Sequence, residues 1–143
     1  MNAMLRNALH QYSTVGVGSA VEDASPHRLI QMLMEGALAR VAAAMGYLDH
    51  GDVAEKGRSI GLAISIVGGL QASLDEKTGG EIAANLDRLY DYMSQRLVEA
   101  NLRDDRAALE EVHRLLGGLK ETWDDVPARM IASSPGATAQ TPG

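Results

Sequence analysis

The chain has no cysteine, no phenylalanine, few other aromatics and fewer basic than acidic residues. Without cysteine there can be no disulfide, no thiolate metal ligand and no cysteine nucleophile, and the composition fits a reducing compartment. Lys and Arg number 13 against 19 Asp and Glu, a formal net charge of -6. The cations are spread out rather than clustered, so the electrostatic footprint of a nucleic-acid binder is missing and no nucleic-acid partner is expected. With Phe absent and aromatics at 3%, no run alternates β-branched or aromatic residues with polar ones, and no strand is expected. Residues 1–9 carry a single Arg and no sustained apolar run. That predicts neither a secretory leader nor a spanning segment of roughly 20 apolar residues, and hence a cytoplasmic protein without membrane insertion.

What is present is a 143-residue chain with 45% hydrophobic content, enough for one domain around one core. Breakers divide it into four long periodic segments. The first starts at Ser25-Pro26, an N-cap followed by proline at the first helical position, and runs to about His50. The second begins at Asp52, with Glu55 at capping-box spacing, and runs to Leu74. The third starts at Thr78 or Gly80, with Thr78 and Glu81 repeating that spacing, and ends near Asn101. The fourth is capped by Asp104 or Asp105 and runs to about Asp125, just before Pro127. Segments of about 20 to 25 residues are roughly 30 to 37 Å long as helices. Short connections between equal helices make neighbours antiparallel. The expected fold is all-α, an antiparallel up-down-up-down four-helix bundle over residues 25–126. An N-terminal arm or short helix at 1–24 precedes it, and a disordered low-complexity tail at 127–143 follows.

At about 100° per residue, Ile82, Leu86, Leu89, Met93, Leu97 and Ala100 form one core stripe of the third helix, with Tyr90 and Tyr92 on its two margins. On a margin, a ring packs while its hydroxyl reaches water or a partner. Leu109, Val112, Leu116, Leu119 and Trp123 make a matching seam on the fourth. In the second helix Ile60, Ala63, Ile64, Val67, Leu70 and Leu74 form the core stripe. Beside it runs a strip of small residues, Ala54, Gly57, Gly61, Ser65, Gly68 and Ala72. Helical glycines cost about 1 kcal/mol each relative to alanine, so something must approach this strip closely: a packed neighbour helix or a partner segment. Leu62 and Ile66 project outside the core stripe and would be exposed in a simple bundle. The first helix is apolar over more than half its circumference and rich in Met, which suits either core filling or an adaptable binding surface.

The catalytic motifs that can be tested fail. Gly16-Val17-Gly18 has Val21 where a dinucleotide fingerprint needs its third glycine, and no strand precedes it. His10, His27, His50 and His113 form no H-E-x-x-H pair and read as solvated. Glu110 and His113 have the Glu-x-x-His spacing of di-iron bundles, but that chemistry needs two such motifs and two further inward glutamates. No cofactor and no metal is expected.

The stretch Gly79-Gly80-Glu81-Ile82-Ala83-Ala84-Asn85-Leu86-Asp87-Arg88-Leu89-Tyr90-Asp91-Tyr92-Met93 resembles the signature of the flagellar export chaperone family, FliS. Val21 to Leu33, Leu102-Arg103-Asp104-Asp105, Glu99-Ala100-Asn101 and Trp123 extend the likeness over roughly residues 7 to 124. One departure is Met34-Glu35-Gly36, where the family usually has an aromatic residue followed by Asp-Gly, a change that would alter a local client contact. The resemblance implies a non-enzymatic cytoplasmic chaperone that binds the C-terminal region of flagellin. It would prevent premature polymerisation and help deliver its client to the flagellar type III export gate. A disordered client loses entropy on binding, which a long apolar groove offsets over a large contact area. Carried over to this chain, the resemblance makes Leu9, Tyr12 and Val15 the arm residues that cap the bundle and meet the gate. Candidates for the flagellin groove are Ile60, Leu62, Ile66, Leu70, Leu86 and Tyr90. An uncovered groove would also allow a homodimer of the free protein. Two other classes stay open: a helical module for another flagellar protein or an anti-sigma factor, and a metal-dependent bundle enzyme.

Overall fold

The computed structural model describes residues 24–126. The expected arm, apart from its last residue, and the expected tail lie outside them. Four helices run in sequence: α1 (Pro26–Asp49), α2 (Val53–Ala72), α3 (Glu76–Arg103) and α4 (Arg106–Asp124). There is no strand among the described residues.

Their boundaries follow from caps that the sequence supplies. Ser25 Oγ accepts from the Arg28 amide at 3.1 Å with Pro26 opening α1, and Asp52 accepts from the Glu55 amide at 3.2 Å. Asp105, not Asp104, caps α4 by accepting from the Ala108 amide at 3.2 Å. Asp104 instead ends α3 in the left-handed region, at φ 51°, which Asp tolerates better than most residues. The start of α3 differs from expectation. Asp75 is its cap, accepting from the Lys77 and Thr78 amides, so Thr78 lies inside the first turn. Gly80, at φ 54° and ψ -129°, then interrupts the helix between Thr78 and Glu81, and the box that their spacing predicted does not form.

That conformation is open to glycine and strained for any L side chain. Gly80→Ala is expected to cost about 1–3 kcal/mol. Gly61 is the control: it lies within α2, and a Cβ there would meet nothing within 4 Å. Gly61→Ala should therefore stabilise by about 1 kcal/mol. Thermal melts of the two variants should move in opposite directions.

Each helix packs on two neighbours, α1 on α2 and α4, and α3 on α2 and α4, giving the expected antiparallel square. The core joins Leu33, Ala37 and Val41 of α1, Ile60, Val67 and Leu70 of α2, Met93 and Leu97 of α3, and Leu109, Val112 and Leu116 of α4. By length and composition α1 is the one described helix that could cross a membrane. Here its apolar residues are spent on the core. Met34 and Gly36 are buried, so the departure from the family pattern at this point falls largely inside the bundle.

Candidate functional site

The two ends of the bundle are built differently. At the end where α1 and α3 finish and α2 and α4 start, charged groups clamp the helices together. Arg106 donates to both oxygens of Asp49 at 2.9 and 3.0 Å, joining α4 to α1. Lys56, 4% exposed, reaches from α2 to the Asn101 carbonyl at 3.0 Å and to the Asp104 carboxylate, satisfying the end of α3. Arg96 meets Glu111 at 2.7 Å, Glu99 at 3.1 Å and Asp105 at 3.8 Å, and Tyr92 donates to Glu111 as well.

These partners shift the acids. Hydrogen bonds from Arg96 and then Tyr92 hold Glu111 below its ordinary 4.5, and Arg106 holds Asp49 below 3.8. A carboxylate depressed by folding stabilises the fold above its unfolded pKa, and the contribution is lost as pH falls through the folded value. Stability should thus decline as pH drops below about 4.5. Glu111→Gln should flatten the upper part of that decline in acid titrations followed by circular dichroism.

At the opposite end, α1 and α4 are joined by a clasp. His27 Nε2 donates to the Trp123 carbonyl at 2.9 Å, Trp123 Nε1 donates to the His27 carbonyl at 3.0 Å, and the rings stack at 5.3 Å. His27 is 7% exposed, so the expectation of a solvated histidine is corrected by this pairing. Gln31 and Lys120 add bonds to Asp124, both at 2.7 Å.

The α2–α3 side of this end is looser. Gln71 Nε2 donates to Asp87 Oδ1 and Asp91 Oδ1, each at 2.8 Å. Gln71 and Asp87 also line a notch of about 410 Å³ together with Leu74, Asp75 and Lys77. Ile82 is 72% exposed rather than in the core stripe, because it sits beyond Gly80 at the very start of continuous α3. Leu74, Leu86 and Leu89 pack on the core only in part.

Of the six groove candidates, the structure buries four in the core: Ile60, Ile66, Leu70 and Tyr90. Ile66, expected to be exposed, is 3% exposed, and Tyr90 turns inward from the margin where its hydroxyl was expected to reach water. Burial pushes the Tyr90 hydroxyl up to about 12. It has no hydrogen-bond partner among the described residues. Leu86 and Leu62 are half-buried, and Leu62 is not packed on the core. Leu9, Tyr12 and Val15 lie outside the described residues. The small-residue strip is open at Gly61, while at Gly57 a Cβ would touch the Asn101 side chain at 3.7 Å. Sequence reasoning missed Gln71, Asp87 and Asp91; the i, i+4 pair of aspartates on α3 was the available signal. Glu110 pairs with Arg106 at 3.5 Å, and no three His, Asp or Glu among the described residues are placed to hold a metal ion.

The four-helix bundle exposes large apolar side chains toward both ends, Ile82 at one and Val53, Val98 and Leu102 at the other. The chain belongs to the FliS family: the family model described as flagellar protein FliS matches residues 8–130. It is 51% identical over 119 residues to the flagellar secretion chaperone FliSB of Pseudomonas aeruginosa, covering 83% of this chain and 94% of that one. It is 48% identical over 121 residues to the flagellar secretion chaperone FliS of Salmonella typhimurium, covering 84% and 90%. With the flagellar secretion chaperone FliS of Bacillus subtilis it shares 30% identity over 105 residues, 73% of this chain and 77% of the relative.

Proposed function

We propose that this chain is a cytoplasmic, non-enzymatic export chaperone. It binds the C-terminal region of flagellin, prevents premature polymerisation and helps deliver the client to the flagellar type III export gate. The observation that carries this reading is membership of the FliS family over most of the chain, with relatives that are flagellar secretion chaperones at up to 51% identity. The architecture supports it. A disordered client must recover its ordering entropy from apolar contact, and half-buried Leu62 and Leu86 with exposed Val53, Ile82 and Leu102 offer apolar surface. Ile60, Ile66, Leu70 and Tyr90 would form the groove beneath, and Leu9, Tyr12 and Val15 would meet the gate. The test is filament growth from monomeric flagellin of the same source. Equimolar chaperone should suppress elongation, and flagellin lacking its C-terminal segment should not bind. Unchanged elongation would remove the proposal and favour a different flagellar client or an anti-sigma factor.

A further inference from the structure

We draw no further inference here: the strongest candidate, the exposed apolar surface of Val53, Val98 and Leu102 where α2 starts and α3 ends, carries nothing, because nothing in the structure shows what covers it.

Discussion

Leu70→Asp is expected to abolish the folded bundle near neutral pH. Leu70 is 1% exposed among Ile66, Val67 and Tyr90. Truncating a buried leucine alone costs about 2–5 kcal/mol. An unpaired carboxylate in that place adds a further desolvation penalty of several kcal/mol, against a total stability of about 5–15 kcal/mol for a typical domain. Far-ultraviolet circular dichroism should show the loss of helix directly. Leu62→Asp is the informative contrast. Leu62 is half-buried and not packed on the core, so this variant should keep its helicity while weakening client binding. Retained helix in Leu70→Asp would mean that Leu70 is not part of a closed core.

Trp123→Ala should produce the second large effect, a loss of about 2–3 kcal/mol, below the figure for a fully buried tryptophan because the ring is part-buried. The indole packs on the core, stacks on His27 and donates to the His27 carbonyl, so its removal breaks the α1–α4 clasp on one side and leaves a void. Trp123→Phe keeps a stackable ring and loses the Nε1 donor, so it should cost only about 1 kcal/mol. Urea unfolding of the pair separates packing from hydrogen bonding. Similar losses in the two variants would assign the clasp to the single bond at Nε1.

Much of this architecture was legible in the sequence because it rests on local signals. Ser25-Pro26, Asp52 and Asp105 are caps whose chemistry acts within three residues, and the 3.6-residue spacing of Leu109, Val112 and Leu116 placed the α4 seam correctly. The readings that failed depend on contacts distant in sequence. His27 reads as solvated until a tryptophan 96 residues away covers it. Ile82 fits the core stripe by angle, yet Gly80 ends the helix just before it, and periodicity cannot register that break. An ideal wheel places Ile66 outside the α2 stripe and Tyr90 on the margin of the α3 stripe, yet each is 3% exposed, because burial depends on the neighbouring helices and not on the wheel alone. The candidate groove was thus legible as a set of residues on adjacent helices, but not as an exposed surface. Most of its proposed members, Ile60, Ile66, Leu70 and Tyr90, are core residues.

The most direct measurement is titration calorimetry of this protein against the C-terminal segment of flagellin from the same source, with circular dichroism of the mixture. Saturable one-to-one binding accompanied by more helix than the sum of the separate components is the predicted result. No heat at micromolar concentrations, with the bundle intact, would contradict the assignment of flagellin as the client.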